Sequence, residues 1–231
     1  MQQKLADEKI FNKHGNIRMF LLGGILGPAV FSLVTFISAM LRPGYSHLNN
    51  TISELGATGT EYANFMNYSG FIPTGLMFAL FGVAFTKVLP TGRFVLAAGV
   101  LITLFGFGMS AAGVFSCDAG WPQAGGSVEQ SIHDAIGPIM FLCIILAAAI
   151  LGFYFRSTSI FQHLGTYSIF TSISALAFMF ALMSSIETRT LSGLWQRLMI
   201  ADVFLWCGIM GWKTYQGTHA MNSHSLANHS P

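Results

Sequence analysis

Two histidines and three carboxylates each stand beside an apolar run. His47 and Glu54 lie in the stretch YSHLNNTISELGATGT, Tyr45 to Thr60. Asp118 follows the run that ends near Ser116, and His133 with Asp134 opens the next. An imidazole and a carboxylate at two helix ends on one face can act as an acid–base pair or bind a metal through nitrogen and oxygen. Glu54, Asp118 and His133 are therefore the candidate catalytic groups. His47, Asp118 and His133 are the candidate ligands of a divalent metal such as zinc. Structural readings compete with each. Thr51-Ile-Ser-Glu54 has the form of a capping box, in which Glu54 serves only its own short helix before Gly56. Asp134 suits a helix N-terminus, and a His–Asp pair can belong to a hydrated interfacial ring.

The elements that must position these residues are apolar. Of 231 residues, 53% are hydrophobic and 9% charged, against about 25% charged in soluble domains. Mean hydropathy is +0.59. This is the composition of an integral membrane protein. With a net charge of +2 and no basic cluster, a nucleic-acid partner is excluded. Cys117, Cys143 and Cys207 show no pairing or metal spacing,. The first apolar run, Met19 to Leu41, is uncharged and too long for a signal peptide,.

A bilayer-crossing helix needs about 20 mostly apolar residues. The sequence predicts an all-α polytopic bundle of six transmembrane helices, at 19–41, 66–87, 94–116, 133–155, 164–184 and 194–213. Residues 1–18 form an N-terminal segment, 19–213 the membrane domain, and 214–231 a polar, irregular tail. With the N-terminus in the cytoplasm, Lys4, Lys9, Lys13, Arg18, Lys87, Arg93, Arg156 and Lys213 lie inside, while Arg42, Arg189 and Arg197 lie outside. The positive-inside rule therefore predicts both termini cytoplasmic in the inner or plasma membrane. The inner loops are then short and plain, and the outer connections carry the varied chemistry. Gly23 with Gly27, and Gly106, Ser110 and Gly113, are small-residue stripes that suit close helix packing,.

The third outer connection runs into the sixth helix with Gln196 and Arg197, and Asp202 lies deeper. An ionised Asp facing lipid is costly, so Asp202 should face the bundle with a partner, either as a structural contact or as the floor of a cavity. Arg197, Gln196 and Asp202 are candidate substrate-binding residues. In the tail, His219, His224 and His229 do not share a helix face,.

Tyr45-Ser-His47, Ile52-Ser-Glu54-Leu55-Gly56, Asn67 and Gly70-Phe71 fall in order, followed by Gly113-Val-Phe115, Cys117-Asp118, His133, Gly193 and Gln196-Arg197. This pattern resembles an uncharacterised membrane family, domain of unknown function 998, over roughly residues 20 to 215. Ser116 stands where the usual form of the third motif has a proline. The resemblance implies a multi-helix membrane fold and no established activity, and it adds Tyr45 and Asn67 to the candidate binding residues. Three functions stay open. One is an enzyme that hydrolyses or transfers a group on a lipid or lipid-linked substrate at the outer leaflet. A second is a binding or transport module for a lipid or small solute. The third is an assembly partner. Membrane lipids are partners in every case, and the oligomeric state is open.

Overall fold

The computed structural model describes residues 17–89, 92–121, 126–157 and 162–227, with side chains through 217. Most of the N-terminal segment and the tail histidine side chains lie outside the described residues. The elements are α1 (Ile17–Leu41), α2 (Ala63–Val88), α3 (Arg93–Val114), α4 (Val128–Arg156) and α5 (Gln162–Ser185), then α6 (Ser192–Ala227). A 3-10 turn, Ser53–Gly56, interrupts the α1–α2 connection. Apart from one isolated bridge between Thr58 and Asp118, the described residues form no β-structure.

The helices exist where the apolar runs are, and α1 to α5 are long and apolar enough to cross a membrane. The sixth expected span differs from the other five. Its helix forms, but α6 does not reach the apolar standard of the others, because Gln196, Arg197, Asp202 and Lys213 dilute it. Its backbone stays helical through Ala227, beyond the 213 at which the sequence reading ends the membrane domain. Each helix packs on the next, and α6 returns to α1, so the bundle is a closed ring.

Lipid tails are as apolar as Leu, so close packing holds such a ring rather than escape from water. The α2–α3 seam shows this. A Cβ on Gly75 would lie 2.4 Å from the Gly106 carbonyl oxygen, and one on Gly106 would lie 2.3 Å from the Ala79 nitrogen. Across α1–α6, a Cβ on Gly24 would lie 2.6 Å from the Cys207 carbonyl oxygen. The middle of the ring is filled by aromatic rings. Phe31 meets Phe71 and Phe204, Phe78 meets Phe204 and Phe105, and Phe105 meets Phe141, with centroids 5.1–5.9 Å apart. This belt joins α1, α2, α3, α4 and α6 and forms an apolar floor beneath the α1–α2, α3–α4 and α5–α6 connections.

Candidate functional site

The α1–α2 connection is fastened to the start of α6. Leu194 N–H donates to the Leu48 carbonyl at 2.9 Å, Ser192 Oγ donates to the Asn49 carbonyl at 2.5 Å, and Ile52 N–H donates to Gln196 Oε1 at 2.5 Å. Arg197 Nη1 donates to the carbonyls of His47, Asn50 and Gly193 at 2.8–2.9 Å, and Nη2 donates to the Tyr45 hydroxyl at 2.5 Å. That hydroxyl in turn donates to the Thr51 carbonyl at 2.9 Å. Burial pushes the Tyr45 phenol above its ordinary range, against the opposing pull of Arg197, so it remains a donor. The approach needs Gly193, where a Cβ would lie 2.3 Å from the Asn50 carbonyl oxygen. At the other end of the connection, Asn67 Nδ2 donates to the Gly56 carbonyl at 2.9 Å. Asn67 sits in a π-helical stretch of α2, Met66–Phe71, a local widening that recurs at functional sites.

Glu54 is buried at the centre of this clasp. Its Oε1 accepts from Thr51 N–H at 2.9 Å and from Thr51 Oγ1 at 3.3 Å. Its Oε2 accepts from Asn50 Nδ2 at 2.7 Å and lies 3.8 Å from Arg189. The Thr51 N–H bond is the half of a capping box in which the acid reaches back to the start of the turn; the hydroxyl serves the carboxylate rather than the turn. Arg42 donates to the Glu54 carbonyl. Arg189 adopts a left-handed backbone, φ +54°, uncommon for a non-glycine residue. It also donates to the carbonyls of Gly120 and Trp121. This tie joins the third connection to the second.

The α3–α4 connection has its own ladder. Asp118 Oδ2 accepts from Ser127 N–H at 2.7 Å and Oδ1 from Ser127 Oγ at 2.8 Å. These bonds hold the carboxyl below its ordinary range. Ser127 is the N-cap of α4, accepting from Gln130 N–H. Gln130, itself buried, accepts from Asp118 N–H at 2.7 Å and donates to Asp134 at 2.8 Å. Cys117 donates to the Ser53 carbonyl at 3.3 Å, and burial pushes its thiol up to about 12. His133 Nδ1 lies 2.8 Å from the Phe115 carbonyl. A carbonyl only accepts, so Nδ1 carries the proton, and in the neutral ring Nε2 is the basic nitrogen.

Beneath the clasp lies a chamber of about 270 Å³ between α4, α5 and the start of α6. Its upper wall is polar: Thr51, Ser53, Trp121, His133, Asp134 and Gln196. Its lower wall is apolar: Met140, Phe141, Met179, Leu182, Met183 and Met199. Gly137 and Pro138 open the α4 side, and a Cβ on Gly137 would meet nothing within 4 Å.

Of the candidate residues, the chamber gathers His133 and Gln196. Glu54, Tyr45 and Arg197 belong to the clasp, with their polar groups turned to protein partners; Asn67 joins it through its NH₂, while its Oδ1 is buried without a hydrogen-bond partner. His47 lines a different cavity, the groove between α1 and α6. Asp118 is turned to Ser127. The three proposed metal ligands therefore do not converge. Among the described residues no group of three His, Cys, Asp or Glu side chains could hold a metal, so the donor set does not fit a divalent ion. Asp202 is not part of the chamber floor; it faces α5, where Ser174 Oγ lies 2.5 Å from it. Sequence reasoning missed Asn50, Gln130 and Arg189, which bind the connections together, and the methionines of the lower wall. Amides and methionines at these places have no spacing signature.

The family model for Protein of unknown function (DUF998) matches residues 25–213. The chain belongs to that family. No curated protein and no solved structure matches the chain.

Proposed function

We propose that this protein is an amphiphile-binding module of the cell membrane, with its clasp on the extracytoplasmic side and both termini in the cytoplasm. The two-ended chamber carries this reading. A polar wall bearing His133, Ser53 and Gln196 stands over a methionine-rich wall within one cavity of about 270 Å³. Small-ligand sites combine such an apolar lining with a few placed polar groups, and methionines adapt to irregular apolar shapes. Gln196 uses its oxygen on Ile52, which leaves its NH₂ as the donor to a ligand. A lipid headgroup would meet His133, Gln196 and the Ser53 hydroxyl, and the first part of its chain would lie among Met140, Met179 and Met183.

Binding is favoured over catalysis because the two candidate catalytic carboxylates, Glu54 and Asp118, have work elsewhere, and the carboxylate that does line the chamber, Asp134, accepts from Gln130. Glu54 accepts three hydrogen bonds inside the protein, and Asp118 is held by Ser127. A general base must reach the proton that it abstracts, and neither carboxylate lines the chamber. Transport is disfavoured by the aromatic belt beneath. The test is melting temperature in detergent against a series of single-chain phospholipids. The wild type should be stabilised as concentration rises. Gly137→Leu, which fills the chamber, should melt normally and show no stabilisation. Equal stabilisation of both proteins would refute the chamber as the site.

A further inference from the structure

Between α5 and α6, away from the chamber, lies a second polar cluster. Asp202 of α6 faces Ser174 of α5, with Oδ2 2.5 Å from Ser174 Oγ. Ser174 stands near the middle of α5, about 17 Å from either end at 1.5 Å per residue,, so the half-buried pair lies at mid-depth of the bundle. Thr171, one turn earlier on the same face, is 1% exposed, and its hydroxyl oxygen has no hydrogen-bond partner. The buried Tyr167 hydroxyl also lacks one. Further along, Trp206 Nε1 donates to Ser168 Oγ at 2.9 Å. The hydroxyls of Ser174 and Thr171 thus face the Asp202 carboxyl across this seam.

Among the described residues no cation answers that carboxyl. The one salt bridge among the described residues joins Arg189 to Glu54. Arg197 is held by carbonyls of the α1–α2 connection, and Arg18 by Tyr215. Lys213 lies about three turns along α6 and His163 about three turns along α5, by 3.6 residues per turn. Lys87 closes α2 at the opposite end from the clasp. The titratable neighbour is Tyr167. An ionised carboxylate deep in a bilayer needs a partner charge, and this one faces only hydroxyls among the described residues, Ser174 at 2.5 Å and Thr171.

We propose that Asp202 is a proton-binding site within the membrane. Proton counting favours it. Ser174 has one hydroxyl proton and three acceptors in reach: Asp202 Oδ2, the Phe170 carbonyl at 2.9 Å and the Thr171 carbonyl at 3.2 Å. With a proton on Asp202, the acid donates to Ser174 Oγ and Ser174 donates to Phe170. Every group of that chain is then satisfied and no charge stands at mid-depth of the membrane. On proton loss, Ser174 must turn its proton to Asp202, and the unpaired Thr171 hydroxyl becomes the second donor. A sodium ion is the competing occupant, but the side chains facing the site supply few of the oxygens that a hard cation gathers.

The experiment uses the full chain in lipid nanodiscs and an apolar carbodiimide, which adds to protonated buried carboxyl groups. At neutral pH the proposal expects a single adduct, mapped to Asp202 by peptide mass, absent in Asp202→Asn and unchanged by sodium. Melting provides the second readout. Asp202→Asn mimics the neutral acid, so it should melt close to wild type at neutral pH and show less loss of stability than wild type as pH rises. Absence of the adduct from wild type that melts normally would overturn the proposal. Protection by sodium would also overturn it and give the site to a metal cation. The chamber plays no part in either readout.

Discussion

The side-chain oxygen of Gln196 accepts the backbone N–H of Ile52 at 2.5 Å, across 144 residues of sequence. That bond joins the first connection of the bundle to its last helix, and Gln196 also lines the chamber. One residue thus serves both the clasp and the site beneath it. Gln196→Leu should lower stability by about 1–3 kcal/mol, because the buried Ile52 N–H is left without an acceptor. Gln196→Glu retains an acceptor and should recover most of the loss. Melting of the two variants side by side checks this.

Gly193 sets how closely α6 meets the α1–α2 connection. Gly193→Ala should destabilise by about 1–3 kcal/mol through overpacking, since its Cβ would strike the carbonyls of Asn50 and His47 at 2.3 and 2.8 Å. Gly44, at φ +73° with open space around it, is the comparison. Gly44→Ala carries only backbone strain of about 1–2 kcal/mol and should leave the clasp closed, as read by hydrogen exchange at Leu194.

Glu54 and Arg189 separate two accounts of the clasp. Glu54→Ala should cost about 3 kcal/mol or less, because it strips a buried acceptor from Thr51 and Asn50. Arg189→Ala should cost about 0–1 kcal/mol in its ion pair, since that side chain is 38% exposed against 7% for Glu54. A catalytic Glu54 would instead leave stability unchanged on substitution.

Asp118 gives an acid limit. Its carboxyl is held below the ordinary range by the Ser127 N–H and hydroxyl. A depressed folded value stabilises above the ordinary carboxylate range, and the contribution is lost as pH falls through the folded value. Melting scans toward low pH should show a weaker acid loss in Asp118→Asn than in wild type. Cys117 gives the opposite limit. With its thiol pushed up to about 12, it is protonated at neutral pH and should resist maleimide until the protein is unfolded.

The five apolar helices were legible because a 20-residue apolar run has few other uses. The sixth was less so, since polar side chains that face partners inside a bundle read in one dimension like the end of a span. Glu54 was half legible: the Thr51–Glu54 spacing announces a cap. The embrace by Asn50 and Arg189 depends on a left-handed turn that no local pattern encodes. The three metal candidates do not converge for a related reason. Helix ends place His47, Asp118 and His133 at one end of the bundle, but side-chain direction is set by tertiary partners, here Phe115 for His133 and Ser127 for Asp118.

The central claim is that the chamber holds an amphiphile, and native mass spectrometry of protein extracted from membranes tests it most directly. Wild type should retain one lipid-sized adduct per chain under activation that strips bulk detergent, and Gly137→Leu should lose it while melting normally. Bare wild-type protein, or an equal adduct on the filled variant, would contradict the account.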